Sequence, residues 1–205
     1  MVKPDLKKEK QLWKKGYNFV GGIDEVGRGC VAGPVVAGIV VINKKIKLAL
    51  LKDIKDSKQL SPEKREEIYK RFKNHQFVQW AIGRVSEKTI DKINILEATK
   101  LAMEKAVKNL EKKYQQPDFL ILDGNIKLAI PIAQEAIIKG DQKIISCSLA
   151  SIMAKVSRDR LMKRYHIVYP AYGFDQHKGY LTESHARAIQ KQGLSRIHRK
   201  TFQIA

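Results

Sequence analysis

Four carboxylates stand where apolar runs give way to polar turns. Asp24 closes the stretch Phe19–Asp24 and has Glu25 beside it; Asp123 follows Phe119–Leu122; Asp141 sits in the turn Lys139-Gly140-Asp141, ahead of Ile144 and Ile145. Burying a carboxylate at the edge of an apolar element is costly unless a cation compensates it. Mg²⁺ is a hard ion that takes oxygen ligands in near-octahedral geometry and keeps places for water and substrate phosphate. Three or four carboxylates converging from different strands therefore suit divalent-ion chemistry at phosphate. In α/β sheets such groups collect at the carboxyl ends of strands. Taken singly, each Asp fits a turn or cap residue just as well. Asp24 and Glu25 add a geometric condition, because successive side chains on a strand point to opposite faces. Both can serve one site only if the strand bends or ends between them, which Gly27 and Gly29 make feasible.

Three further segments carry weaker signals. Gly27-Arg28-Gly29 could let backbone amides approach a ligand closely, or be an ordinary loop between strands. Asp56-Ser57-Lys58 offers a cation for phosphate, or a polar turn. His177-Lys178-Gly179-Tyr180 places a base, a cation and an aromatic ring beside a glycine; Tyr180 could stack on a sugar or base, or pack on a surface loop. Asp159, between Arg158 and Arg160, reads as a structural ion-pair partner.

The elements that must position these groups follow from periodicity and punctuation. Phe19–Asp24 and Val35–Ile42 read as strands around a Gly-rich loop, and Phe77–Val85 as a third. Ser61 and Pro62 start a helix that runs to about Lys73: the serine can cap free N–H groups, and proline suits the first helical position. A long helix carries Ile93, Leu96, Met103, Val107 and Leu110 near helical spacing and stops before Pro117. Phe119–Leu122, wholly apolar and followed by Asp123-Gly124-Asn125, reads as a buried parallel strand. A helix is expected over about 129–137 and a short strand at Ile144–Ile145. Leu149, Ile152, Met153 and Val156 line one face of a helix that continues through a basic stretch, and a last short helix covers Glu183–Lys191. The alternation indicates an α/β core, helices on both faces of a mixed sheet, with a helical C-terminal part. Within one structural unit, residues 1–17 form a basic arm or helix, 18–168 the core, and 169–205 the C-terminal helical part.

The 205 residues suit one domain. Apolar residues make up 43% and charged residues 30%, the balance of a globular protein with a core. The net charge of +19, from 40 Lys and Arg against 21 Asp and Glu, favours a polyanionic partner. No apolar run reaches the roughly 18–20 residues of a membrane span, so no membrane partner is expected. The Lys-rich N-terminus has no apolar segment of a secretory signal. Cys30 and Cys147 lack metal-ligand spacing and suit a reducing cytoplasm, with their pairing left open. Nothing demands an oligomer, so a monomer is expected.

Taken in order, the segments closely resemble ribonuclease HII. They are Gly22-Ile23-Asp24-Glu25-Val26-Gly27-Arg28-Gly29, then Ala32-Gly33-Pro34-Val35, Asp56-Ser57-Lys58-Gln59-Leu60, Leu122-Asp123-Gly124-Asn125, Lys139-Gly140-Asp141, Ser148 to Val156 with Arg158-Asp159-Arg160, Tyr172-Gly173-Phe174, His177-Lys178-Gly179-Tyr180 and Ile197-His198-Arg199. The resemblance runs from about residue 18 to 202. It implies an RNase H-like fold and an endoribonuclease that cuts the RNA strand of RNA–DNA hybrids. It also implies cutting 5′ of ribonucleotides embedded in duplex DNA, leaving 5′-phosphate and 3′-hydroxyl ends. It implies two divalent ions, Mg²⁺ or Mn²⁺, on Asp24, Glu25, Asp123 and Asp141. Gly27, Arg28 and Gly29 then read the 2′-hydroxyl at the junction, Tyr180 packs on the adjoining deoxyribose, and Lys58 lies near the scissile phosphate. The related HIII class usually lacks an arginine between the two glycines, so Arg28 favours HII. The tail Lys200–Ala205 lacks the paired aromatics of a sliding-clamp-binding segment, and no such partner is expected. The competing readings are a DNA nuclease or resolvase on the same fold, and a non-catalytic basic RNA-binding protein.

Overall fold

Five strands and the helices between them follow most of the apolar runs. The structure, a computed structural model, describes residues 3–203. A basic helix α1 (Lys7–Lys14) leads into β1 (Val20–Val26) and β2 (Val35–Ile42); α2 (Pro62–Phe72) and β3 (Val78–Val85) follow. The long α3 (Glu87–Lys113), β4 (Phe119–Asp123), β5 (Ala133–Ile137), a one-turn α4 (Gly140–Lys143) and α5 (Ile145–Val168) complete the central part. The short α6 (Phe174–His177) and α7 (Glu183–Gln192) make up the helical C-terminal part.

The sheet order is β3-β2-β1-β4-β5. The first three strands are antiparallel neighbours, while β4 pairs in parallel with both β1 and β5. Strand alternation divides the core between two faces. Ile23, Ala37, Ile39, Ala81, Leu120 and Leu122 pack under α3, with Ala102, Met103, Ala106 and Leu110. On the other face Val40, Ile42 and Val78 meet α2 and α5, through Phe72, Leu149 and Met153. α3 approaches β3 so closely that a Cβ on Gly83 would collide with the Ala102 carbonyl and come within 2.5 Å of the Ala106 nitrogen.

The helix starts are chemically marked. Ser61 Oγ accepts from the Lys64 N–H at 3.2 Å, with Pro62 in the first turn. α5 is capped from outside: Glu9 on α1, almost wholly buried, accepts from the Ser146 N–H at 2.9 Å.

Three expectations need correction. Residues 129–137 form no helix; β5 pairs in parallel with the otherwise free edge of β4, and this ladder overrides the local pattern. Ile144–Ile145 is not a strand: Ile144 makes one isolated bridge to Asp5 and α5 starts at Ile145. α3 is two helical pieces in different phase. Asn94 has φ 63° and its side chain accepts from the Leu96 and Glu97 N–H groups, capping the second piece. Leu96 is left exposed in consequence, and the buried stripe runs through Ile90, Ala98, Ala102 and Met103.

Gly83→Ala should destabilise the fold by about 1–3 kcal/mol, lowering Tm by roughly 2–12 °C. Thermal denaturation followed by circular dichroism checks this; an unchanged Tm would mean that α3 can back away from β3.

Candidate active site

The parallel pairing of β1 with β4 sets the centre of the site. Ile23 pairs with Leu122, so the next residues, Asp24 and Asp123, lie side by side at the carboxyl ends of their strands. Ile23 and Leu122 face α3, which turns both aspartates toward α5. The chain reaches Asp141 through a left-handed Lys139 (φ 58°), and the expected turn is the start of the one-turn α4. The Gly140 N–H donates to Asp123 Oδ1 at 2.6 Å and ties that turn to β4. One carboxylate oxygen from each of Asp24, Asp123 and Asp141 lies within 4.8 Å of the others. Asp24 and Asp141 are buried.

Glu25 stands beside this triple and outside it. β1 continues through Val26, yet Glu25 lines the same cleft as Asp24 and Asp123, and its charge acts on that of Asp24. Arg28 donates to Glu25 Oε1 at 3.1 Å, while Glu25 Oε2 is buried and has no hydrogen-bond partner among the described residues.

Electrostatics set these acids apart from ordinary surface carboxyls. Burial, then the neighbouring Glu25 and Asp123 charges, push the Asp24 carboxyl well above the usual range, against a hydrogen bond from Ser151. Burial raises Glu25 as well, opposed by Arg28. Asp141 is raised by burial, Asp123 and Asp56, with Lys58 opposing. The Lys58 ammonium is 3.7 Å from Asp141 Oδ2 and its side chain is largely exposed, so the pair is a weak, screened one.

A cleft of about 230 Å³ joins the remaining groups. Asp24, Glu25, Asp123, Lys58 and Tyr180 line it together with the Gly27-Arg28-Gly29 loop. The nine residues to which the resemblance gives a role thus meet here, Asp141 through the carboxylate triple. Tyr180 keeps 43% of its surface exposed, leaving its ring available in the cleft. Gly27 has φ +91°, and a Cβ there would run into the Arg158 guanidinium.

Two arginines that the motif reading left without a role hold this loop. Arg158 and Arg199 are fully buried. Arg158 donates to the carbonyls of Pro34 (2.9 Å), Lys178 (2.7 Å) and Ala32 (3.0 Å). Arg199 donates to those of Gly27 (2.6 Å), Arg28 (2.8 Å) and Gly33 (2.9 and 3.0 Å). The signal for Arg158 was its place at helical spacing from Ala154 and Met162, both buried. Ser151 and Ser57 were also missed; their hydroxyls lie 2.9 Å apart beside Asp24. Asp159 does form the expected ion pair, with Lys155 at 2.8 Å. Cys30 and Cys147 are buried free thiols.

The model of the family described as ribonuclease HII matches residues 21–205. The chain belongs to the ribonuclease HII family. It is 47% identical to the ribonuclease HII of Clostridioides difficile (strain 630) over 194 residues, 95% of this chain and 73% of that one. Among solved structures it is similar to the ribonuclease H2 from Pyrococcus horikoshii OT3, with TM-score 0.74 and 29% identity, covering 91% of this chain and 94% of that one. It is also similar to the ribonuclease HII of a PCNA:RNase HII complex from Archaeoglobus fulgidus, with TM-score 0.72 and 26% identity, covering 90% and 95%. Ribonuclease HII is an endonuclease family that hydrolyses RNA in RNA–DNA hybrids. The family resemblance, the RNase H-like fold and the enzyme class expected from the sequence are borne out. No helix among the described residues is long and apolar enough to cross a membrane.

A raised carboxyl costs stability once ionised. Asp24 takes up its proton more readily folded than unfolded, so its contribution is fully present below the ordinary pKa of 3.8 and is lost as pH rises. In chelator at pH 7–8, Asp24→Asn should raise stability by about 1–2 kcal/mol, or Tm by roughly 2–8 °C. The gap from wild type should narrow as pH falls toward 4. Thermal melts over that pH range check it; a variant less stable than wild type at pH 8 would contradict the account.

Proposed function

We propose that this chain cuts the RNA strand of RNA–DNA hybrids and also cuts duplex DNA on the 5′ side of an embedded ribonucleotide, using divalent ions held by its carboxylates. The observation that carries the reading is the convergence of Asp24, Asp123 and Asp141 within 4.8 Å, next to a cleft lined by the Gly27-Arg28-Gly29 loop and Tyr180.

The donor set fits Mg²⁺ or Mn²⁺. It is all oxygen and repels itself without a counter-charge. Glu25 Oε2, buried with no partner at the rim of the triple, is a further open donor. Asp24, Asp123 and Asp141 would hold the ions, with Glu25 completing the set. Bound divalent ions supply activation of the attacking water and stabilisation of the departing 3′-oxygen.

The chain's own groups position the substrate. Glu25 holds the Arg28 guanidinium over its loop, where the backbone of Gly27 and Gly29 can approach a 2′-hydroxyl, the group that marks RNA at a single nucleotide. The Tyr180 ring packs on the neighbouring deoxyribose. Lys58, loosely held by Asp141, reaches the scissile phosphate. In-line attack on phosphorus then leaves a 5′-phosphate and a 3′-hydroxyl. A groove of about 610 Å³ continues from the cleft past Arg65, Lys155, Arg160, Lys163 and Lys178. These cations suit the phosphates of a duplex, and binding through them weakens steeply with salt.

In this reading residues 18–168 act as the catalytic core and 169–205 as a substrate-binding part of the same unit. The enzyme works in the cytoplasm, where its two buried thiols stay reduced. The tail that carries no clamp-binding aromatics ends in Ile204 and Ala205, which lie outside the described residues.

The test is cleavage of a labelled DNA duplex with one ribonucleotide, beside an all-DNA duplex and a long RNA–DNA hybrid, in Mg²⁺, Mn²⁺ or EDTA. We expect an ion-dependent cut 5′ of the lone ribonucleotide and none in all-DNA. Asp24→Asn should reduce turnover by at least about 10³-fold, and Arg28→Ala should cost about tenfold in selection of the junction. Cleavage of the long hybrid alone would remove the junction roles of Arg28 and Tyr180; undiminished turnover by Asp24→Asn would overturn the site.

A further inference from the structure

Three histidines, His177, His185 and His198, gather behind Tyr180, and none belongs to the catalytic cluster. His185 and His198 are buried. The rings of His177 and His185 stack with centroids 4.1 Å apart. A neutral imidazole donates from one nitrogen and accepts at the other, so backbone partners fix each ring. The Ser195 N–H donates to His198 Nδ1 at 2.9 Å, which puts the His198 proton on Nε2. That N–H donates to His185 Nε2 at 3.0 Å. The His185 proton is therefore on Nδ1, and it donates to the Tyr180 carbonyl at 2.9 Å. Independently, the Gly179 N–H donates to His177 Nδ1 at 3.1 Å, and His177 Nε2 donates to the Tyr172 carbonyl at 2.7 Å.

The order has a direction: Ser195 N–H to His198, His198 to His185, His185 to Tyr180. Its far end is the backbone of the residue whose ring lines the cleft. Its near end adjoins Arg199, which holds the carbonyls of Gly27 and Arg28. The backbone it fixes is tightly turned: Lys178 and Gly179 are both left-handed, at φ 54° and 88°. Burial pushes His198 down to about 4 and holds His185 and His177 below the ordinary histidine range. All three rings are thus neutral at pH 7, as the hydrogen-bond order requires.

We propose that His198 and His185 are positioning residues for substrate selection, a pair in one fixed tautomeric order that sets the Tyr180 segment against the nucleotide through the Tyr180 carbonyl. This rests on the role given to Tyr180 above. The pair touches neither the carboxylates nor the phosphate path, so it acts on KM for the junction and leaves kcat alone.

Two measurements test it. Long-range ¹H–¹⁵N correlation spectra of ¹⁵N-labelled wild-type protein at pH 7 should place the proton of His198 on Nε2 and that of His185 on Nδ1. A His198 proton on Nδ1 overturns the proposal, whatever any variant does. Kinetics on a duplex with a single ribonucleotide give the second. His185→Phe and His198→Leu should raise KM about tenfold with kcat within about twofold. His185→Asn keeps a donor for the Tyr180 carbonyl, and His198→Gln keeps one for His185; each should recover most of the loss. Tyr180→Ala should raise KM alike, and adding His185→Phe to it should cost nothing more. If Tyr180→Ala raises KM while the histidine variants do not, or if they lower kcat instead, the positioning role is wrong and the reading of Tyr180 stands. If Tyr180→Ala leaves KM unchanged, that reading fails and takes the proposal with it.

Discussion

Like charges held close together in a poorly hydrated place are the constraint on which the rest of this structure depends. Held together, Asp24 and Asp141 take up protons more readily than free carboxyls, and three carboxylates within 4.8 Å would separate in a looser protein. Here they are carried by elements that cannot yield. Two sit at adjacent ends of parallel strands whose register is fixed by buried side chains on the α3 face. The third opens a one-turn helix tied to the same strand by the hydrogen bond from Gly140 to Asp123. The apolar packing of α3 and α5 on the sheet is what resists the repulsion. Such storage of unfavourable electrostatics at a site, balanced by packing elsewhere, is common where a counter-ion and a phosphate are to be bound.

The substrate side is stiffened by a different device. Arg158 and Arg199 are buried without a carboxylate partner among the described residues and give their donors to backbone carbonyls. Each guanidinium satisfies several buried acceptors at once, and so the Gly-rich loop can leave the sheet and still be rigid. Arg158 bonds to Lys178 as well, and Gly179 accepts from the N–H groups of Val31 and Ala32. The loop after β1 and the turn before Tyr180 are therefore fixed to each other. That is a requirement for any pocket that judges one nucleotide by contacts from both.

Much of this was legible in the sequence where local signals and tertiary pairing agree. Val35–Ile42 is β-branched, apolar and bounded by Pro34 and Asn43, and its ends match the strand. Ser61 and Pro62 mark a helix start by chemistry that needs no distant partner. Asp24 and Asp123 stand at strand ends because polar turns follow apolar runs. Most of what escaped depends on distant partners. β5 has weak strand character of its own and exists because β4 offers an open edge. The phase of α3 slips at Asn94, which a stripe counted from Ile93 does not register. The burial of Arg158 and Arg199 follows mainly from carbonyls more than 120 residues away along the chain, those of Pro34 and Ala32 for Arg158 and of Gly27, Arg28 and Gly33 for Arg199.

The distribution of charge gives the site an order of assembly. A net charge of +19 attracts polyanions from a distance, and on the proposed reading the cations along the groove beside α5 would give a duplex's phosphates a track. The proposed point of cleavage is where Asp24, Asp123 and Asp141 crowd within 4.8 Å. A phosphodiester brought there meets repulsion from Asp24, Asp123 and Asp141 unless cations stand between. Lys58 is too exposed to cancel three acids. On the proposed reading, the duplex would be held by the groove and the Gly27–Tyr180 cleft before the scissile phosphate is seated, and seating it would depend on the ions. Recognition and cleavage are separable in such an arrangement. A nucleotide that the cleft did not fit would leave the phosphate outside the acidic centre, and on that reading selectivity arises before any bond is strained.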